Sequence, residues 1–496
     1  MQSEDMSGFW VFCPGSPSRP SRRVHFTPEH TVVSIAGEEK YWYVANQSLL
    51  LLDSNRIILW IFDLATGRDG CLIGRSRQAE FYDSTILLVR EGSVVARPAG
   101  QRLPLQVGPL PAQANSHAEF VAAWRSRDDF SVVLAPEGHY IGRKPLSLSR
   151  NLGQTPHSDK YEEVVLRHAP GGYLCRPVFF HVLNDCLLLD GSVVVTHDGR
   201  AIFETTEFPG MEPQWDTDYS LAGSVIRPGS AEISLTGEPS QVFDFDVFLL
   251  STLKVGYGHW LGQSVPNAVT LDWIRDAAPD VADHLALSVL GGITRENFRI
   301  EGLRLLSLAN PVIVPPRGVV RCRRLVVPSF HRYGHHWPGI GAVFRKMAVR
   351  ARELMPEAPR RSRIYASRAG HTRGFVNDAA IEPVLKKHGF KPLVGGTIPY
   401  VEQIAVYAEA EAVFGSHGSN MSNISFCPPA ACALEVFDDL TNDPFWYYFL
   451  ANASQLDYSY IVTATPPEQQ SLGFVDRSLD LPPDVLDAVL TAGFAR

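Results

Sequence analysis

Three short stretches of this chain combine residue types that bind anions or move protons. The first is Ser416-His417-Gly418-Ser419-Asn420-Met421-Ser422-Asn423, which follows the apolar run 412–415. A strand that feeds a turn of small residues and then a helix start leaves several backbone N–H groups unpaired at the positive end of a helix dipole. Such a place suits a diphosphate. Gly418 lets the backbone come close to a ligand, while Ser419, Asn420, Ser422 and Asn423 supply short neutral donors or helix caps. Capping accounts for Ser419 but leaves His417 without a purpose.

The second stretch is Ser367-Arg368 at the end of the run 364–366, followed by Arg373 and by Asn377-Asp378. An arginine fork neutralises a phosphate bidentately. Solvated loop charge is the commoner fate of any one arginine, and Asp378 reads more simply as a helix cap than as a catalytic acid. The third stretch is Val255-Gly256-Tyr257-Gly258-His259-Trp260. A neutral imidazole beside glycine can take a proton from a hydroxyl near neutral pH. Tyr257 and Trp260 offer faces to a sugar ring, although aromatic residues beside a helix also serve as core. A metal reading attaches to His331, His335 and His336, since two histidines four apart can share a helix face and hold zinc. Gly334 and Pro338 weaken that helix, no glutamate lies between the histidines and Arg332 adds like charge, so a loop over a cleft is the preferred reading and no metal ligand is assigned.

These residues need strands that end and helices that begin beside them. After position 243 apolar runs alternate with helical patterns, the sign of α/β units with a mostly parallel sheet. Strands are expected at 247–250, 285–289, 325–327, 364–366, 391–394, 412–415 and 433–437, with helices at 266–276, 339–354, 379–388, 401–409 and 421–426. In open α/β sheets ligands sit at the carboxyl ends of the strands, so Arg368 and Arg373 would face the same crevice as the 416–423 turn. Upstream, 187–189 and 193–195 read as strands joined by an Asp-Gly turn. Residues 1–150 hold short β-branched runs such as 31–35, 48–52, 57–62 and 131–134 between Gly, Pro, Asp and Asn. They form a β-rich accessory region. The expected division is therefore 1–150, one lobe at 151–340, a second lobe at 341–465 reached through the Pro-rich connector 355–363, and a tail at 466–496 that packs back.

The bulk properties fit this. With 496 residues the chain exceeds one hydrophobic core, and 45% hydrophobic with 20% charged residues is ordinary globular composition. A formal charge of −8 gives no global attraction to nucleic acid or anionic membrane, and the basic tracts 16–23 and 360–363 read as solvated loops. The sequence shows no signal-like start and no apolar run of the ~20 residues that cross a bilayer, so a cytoplasmic chain is expected, with room for peripheral contact at the inner membrane. Seven scattered cysteines without a CxxC suggest reduced buried thiols.

Taken together, Gly258-His259-Trp260, Ser367-Arg368, Arg373 with Asn377-Asp378, Glu402-Gln403, His417-Gly418-Ser419 with Asn423, and Glu435 resemble glycosyltransferase family 61. This capsular-polysaccharide-type family also contains plant xylan arabinosyltransferases and animal O-linked N-acetylglucosamine transferases. The resemblance spans about 185–437. Ser419 stands where alanine is usual and Asp378 where glutamate is usual. The resemblance implies a GT-B fold of two facing Rossmann-like lobes and inverting transfer from a nucleotide sugar, a UDP-sugar first among them. It implies no obligatory metal and no other cofactor. The acceptor would be a glycan, a polysaccharide or a lipid-linked saccharide. His259 is the expected base. Ser367, Arg368, Arg373, Asn377, His417, Gly418, Ser419, Asn420 and Asn423 are expected to hold the donor, with Glu435 on the ribose hydroxyls. A nucleotide-sugar epimerase or hydrolase on the same fold, and a non-catalytic glycan-binding protein, are the alternatives.

Overall fold

The computed structural model describes residues 108–140, 177–189, 191–202, 241–251, 256–290, 298–316, 318–329, 337–440, 446–470 and 477–493, with short strand segments and single residues elsewhere. His331, His335, His336, Val255 and most of the basic tract 16–23 lie outside the described residues. The chain divides into two compact units, 1–105 with 210–238, and 106–209 with 239–496.

The first unit is built from the β-branched and aromatic runs near the start of the chain. Eight antiparallel strands follow the order Val32–Ser34, Arg22–Phe26, Gly8–Cys13, Thr85–Arg90, Cys71–Ser76, Ile58–Asp63, Ser48–Leu52 and Tyr41–Ala45. Phe26 and Leu49 are fully buried in it. Tyr219–Leu221, Ser224–Ile226 and Glu232–Leu235 add an antiparallel run paired with Gln101–Gln106.

The second unit holds two large sheets and a two-stranded antiparallel pair, Gly138–Tyr140 with Tyr173–Cys175. The first comprises β1 (Phe130–Ala135), β2 (Val178–Leu189), β3 (Val193–Val195), β4 (Ala201–Ile202), β5 (Gln241–Leu249), β6 (Ala286–Ser288), β7 (Val312–Ile313) and β8 (Val319–Pro328), in the order β4-β3-β2-β8-β5-β6-β7 with β1 also on β2. Strands β8, β5, β6 and β7 pair in parallel, whereas β1 to β4 pair antiparallel and β2 meets β8 antiparallel. This sheet is mixed rather than mostly parallel, because the hairpin-forming Asp-Gly turns let β2, β3 and β4 follow one another without crossover helices.

The second sheet comprises β9 (Ser362–Ser367), β10 (Phe390–Val394), β11 (Ala410–Ser416), β12 (Cys432–Asp438) and β13 (Asp457–Thr463), with the short strand Leu146–Ser147 on the outer edge of β13. All pairs are parallel and the order is β10-β9-β11-β12-β13. The order reverses between β9 and β11. In such doubly wound sheets that switch point is where a crevice opens beyond the strand ends. Alternation along each strand feeds two layers. Tyr365, Phe414, Leu434 and Val436 pack with Ile381 and Leu385 of α3 (Asp378–Lys387) and with Val485, Leu486 and Leu490 of α6 (Pro483–Gly493). Ile364, Val413, Ala433 and Tyr460 face the opposite layer.

That opposite layer is shared by both sheets. Phe248, Leu287 and Val326 of the first sheet join it, as do Leu271 and Ile274 of α1 (Ala268–Ala277), Phe344, Met347 and Ala351 of α2 (Gly341–Leu354), Ile404 of α4 (Tyr400–Tyr407), and α5 (Trp446–Ala453). Each large apolar side chain buried there contributes about 1.5–3 kcal/mol of transfer free energy before entropy is counted. Helix α2 buries positions 344, 347, 348 and 351, the single stripe that the sequence pattern predicts. The stretch expected as a helix at 421–426 is a 3₁₀ turn, Ser419–Phe426. Cys175, Cys186, Cys322 and Cys427 are buried thiols. Among the described residues no helix is long and apolar enough to cross a membrane.

Candidate functional site

The switch point gathers two of the three stretches. Strand β9 ends in Ser367, leading to Arg368, and β11 ends in Ser416, leading to His417 and Gly418. The guanidinium of Arg368 lies over Gly418. A Cβ there would come 2.3 Å from Arg368 Nη1. The loop after β9 is pinned twice. Ser416 Oγ donates to the Arg373 carbonyl (2.6 Å), and residues 374 and 376 exchange backbone bonds with Leu479 (2.8 Å each). Arg373 itself sits at φ 61°, a left-handed conformation that a non-glycine residue holds only when its surroundings fix it. Beyond Gly418, the N–H groups of Ser419 and Asn420 precede the first bond of the turn, Met421 N–H to the Gly418 carbonyl (2.8 Å). They are donors of the kind that hold an anion.

His417 is 5% exposed, and its Nδ1 is hydrogen-bonded to Glu435 Oε1. Glu435 is wholly buried in β12, and its other oxygen accepts the Tyr458 hydroxyl of β13. Both carboxylate oxygens are thus engaged inside the sheet, which corrects the expectation that Glu435 meets ribose hydroxyls. Its position in the strand, between Leu434 and Val436 that face α3 and α6, turns it toward the layer shared by the two sheets. It orients the imidazole, leaving Nε2 as the atom through which His417 can act. The ring of Tyr447 stands edge-on to His417, with centroids 5.0 Å apart. Burial pushes the Tyr447 phenol well up, against the opposing fields of Arg373 and Arg368, so this phenol stays neutral beside the two cations.

Three asparagines expected to hold the donor are used by the scaffold instead. Asn377 bonds the backbone of Leu481 through both ends of its amide (2.8 and 3.3 Å). Asn420 Nδ2 donates to the Ser367 carbonyl (3.0 Å), tying the turn across to β9. Asn423 is wholly buried. Its Nδ2 donates to the Asn420 carbonyl (2.8 Å), and its Oδ1 accepts from Tyr257 (2.5 Å) and Gln403 (2.9 Å). Short amides serve here as rivets because each offers a donor and an acceptor to a crowded interior. Ser367 is also buried, at 3% exposure, and caps the N–H of Ala369 (3.2 Å).

The third stretch comes to the same place through Tyr257 and Gly258. A Cβ on Gly258 would lie 3.1 Å from Ser422 Oγ and 3.3 Å from Ser419 Oγ, so glycine is what lets the two turns meet. His259 follows, half-buried, and precedes a π-helical turn, Trp260–Ser264. Turns of that kind are inserted mostly at functional positions. His259 Nδ1 is 2.9 Å from Gln263 Oε1, and the ring is edge-on to Trp446 at 5.7 Å. Trp260 is 1% exposed and belongs to the shared core, so it offers no face to a sugar. Tyr447, Tyr458 and Gln263 are the members that sequence reasoning did not assign to the site. Among the described residues no cluster of three or more His, Cys, Asp or Glu could hold a metal ion.

No curated protein matches the chain. One solved structure to which it is similar is entitled "Crystal structure of a psychrophilic marine protease MP inhibitor", at 16% identity over 18% of this chain and 99% of that one. Its TM-score of 0.15 is too low to bear on the fold. The family model described as Glycosyltransferase 61 matches residues 257–434, which run from Tyr257 through both anion-binding stretches. The segment that carries the Gly-His-Trp, Ser-Arg and His-Gly-Ser turns is thus the part of the chain that is similar to glycosyltransferase family 61.

Proposed function

We propose that the chain is an inverting, GT-B-type glycosyltransferase that moves a hexosyl or pentosyl group from a nucleotide sugar, a UDP-sugar first among them, to a glycan, polysaccharide or lipid-linked saccharide. The observation that carries the reading is the convergence at the switch point of Arg368 over Gly418, Arg373 in its pinned loop, His417 held by Glu435, and the N–H groups that open the 419–426 turn. All of them favour one anion. A departing diphosphate is the anion that glycosyl transfer creates, and preorganised cations and N–H dipoles stabilise it without reorganising.

In this reading the acceptor hydroxyl lies between the diphosphate site and His259. The acceptor oxygen bonds to the anomeric carbon as the bond from that carbon to the donor phosphate oxygen breaks, and the hydroxyl proton passes to the imidazole. A single in-line displacement inverts the anomeric centre. Arg368 and Arg373 meet the charge of the leaving group, so no obligatory metal is part of the proposal, and activity in EDTA is the expected outcome. The reaction sits in the cytoplasm, where nucleotide sugars are available, or at the inner face of a membrane that presents a lipid-linked acceptor.

The test is anomer-resolved product analysis with a panel of nucleotide sugars and saccharide acceptors. A glycosidic product of inverted configuration, formed by wild type and abolished in His259→Ala with nucleotide binding retained, is expected. Retained configuration, or release of free sugar alone with every acceptor, would contradict the proposal.

A further inference from the structure

Resting on the reading of His259 as base, we propose that Gln263 is a positioning residue that fixes His259 as the tautomer with its hydrogen on Nδ1, so that the Nε2 lone pair receives the acceptor's proton. A neutral imidazole has one donor nitrogen and one acceptor nitrogen, and the partner of one decides the character of the other. Here Gln263 Oε1 stands 2.9 Å from His259 Nδ1. A carbonyl oxygen only accepts, which places the hydrogen on Nδ1 and the lone pair on Nε2.

Gln263 is itself held. It lies in the π-turn Trp260–Ser264, and its backbone carbonyl accepts from Asn267 Nδ2 at 3.1 Å. The same Nδ2 donates to the Leu250 carbonyl, also at 3.1 Å, immediately after the last residue of β5. Asn267 is 1% exposed, and Gly262 packs so closely on Trp446 that a Cβ would come 2.2 Å from its ring. A rigid path therefore runs from the end of a central parallel strand, through Asn267 and Gln263, to the imidazole, while Trp446 closes the ring's other side at 5.7 Å. Gln263 lies four residues after His259, a spacing at which side chains on a helical turn are neighbours. When the acceptor O–H bond breaks, the proton goes to Nε2, the oxygen bonds to the anomeric carbon, and the imidazolium keeps its Nδ1–H on the amide oxygen. A neutral amide orients the base without the strong rise in basicity that a carboxylate would bring.

The experiment is histidine-selective 15N NMR of the full chain at a pH where His259 is neutral, its resonances assigned by their disappearance in His259→Asn. Wild type is expected to show the pyridine-like nitrogen at Nε2. Gln263→Leu is expected to lose that preference and move toward the Nε2–H form that dominates in a free histidine side chain, whereas Gln263→Glu, which keeps an acceptor oxygen in place, restores Nδ1–H. Thermal unfolding of each variant separates loss of the tautomer from loss of the fold. With a nucleotide sugar that the product panel identifies, Gln263→Leu is expected to lower kcat 10- to 100-fold with donor KM within twofold, and Gln263→Glu to recover most of it. An Nε2–H tautomer in wild type, or an unchanged tautomer in Gln263→Leu, would overturn the inference even if His259 proves to be the base. Full activity of His259→Ala would instead overturn the reading on which it rests.

Discussion

The two turns that meet at Gly258 are built on opposite principles. The turn after β11 is charged. Arg368, Arg373 and the Glu435-oriented His417 surround it, and its asparagines are consumed in fastening it to β9 and to Tyr257. The turn after β5 is neutral, with one imidazole held by an amide and an aromatic ring. A rigid parallel sheet supplies the first with fixed charge, and a π-turn supplies the second with a directed lone pair. The difference teaches that polar residue type alone does not reveal which side chains meet a ligand. Within one short loop the amides hold the scaffold.

The largest effect that would sharpen this contrast is expected on the charged turn. Arg373→Ala or His417→Ala should lower turnover by about 10²–10³-fold, the range for removing one preorganised donor to a developing charge. A comparable loss of nucleotide binding is expected, measured by calorimetry. Next is Trp260→Ala, which should cost about 3–5 kcal/mol of stability in denaturant titration, because the ring is 1% exposed and fills the shared core. Unchanged stability would return Trp260 to the sugar site. Tyr257→Phe removes one hydrogen bond to Asn423 and keeps the ring, so a loss of only about 0.5–1.5 kcal/mol is expected, with nucleotide affinity within a few-fold.

A smaller and graded effect lies far from both turns. His181 is wholly buried in β2, with Nδ1 2.8 Å from Ser131 Oγ, and burial pushes its imidazole down from 6.5 to about 3. The unfolded chain binds the proton below pH 6.5 and the folded chain does not, so this group's contribution is complete above 6.5 and is lost as pH falls toward 3. Its slope in that window is at most ~1.4 kcal/mol per pH unit. Denaturant titrations between pH 7 and 5 should show a shallower acid loss in His181→Gln than in wild type. Equal slopes would contradict the burial argument.

Much of the second sheet was legible in the sequence. Strands β9 to β12 are short apolar runs bounded by turn residues, and each lies within two residues of its expected limits. Helix α5 was not legible, because Trp446–Ala453 is buried on every side and so carries no apolar stripe, while its aromatic run has strand propensity. The convergence of Arg368 with His417-Gly418 follows from strand ends and could be read in advance. The inward turn of Glu435 could not, since it depends on Tyr458 and on the face of β12 that meets the shared layer. Gln263 shows its i,i+4 spacing to His259 in the sequence, but nothing in the sequence says that the amide oxygen meets Nδ1.

The most direct measurement is calorimetric titration, in EDTA, of wild type, Arg373→Ala and His417→Ala with UDP, CDP, GDP, ADP and dTDP. Binding of at least one nucleoside diphosphate by wild type, lost or weakened at least tenfold in both folded variants, is the predicted result. Failure of every diphosphate to bind, or binding that both substitutions leave untouched, would contradict the claim that the switch point between β9 and β11 is the donor site.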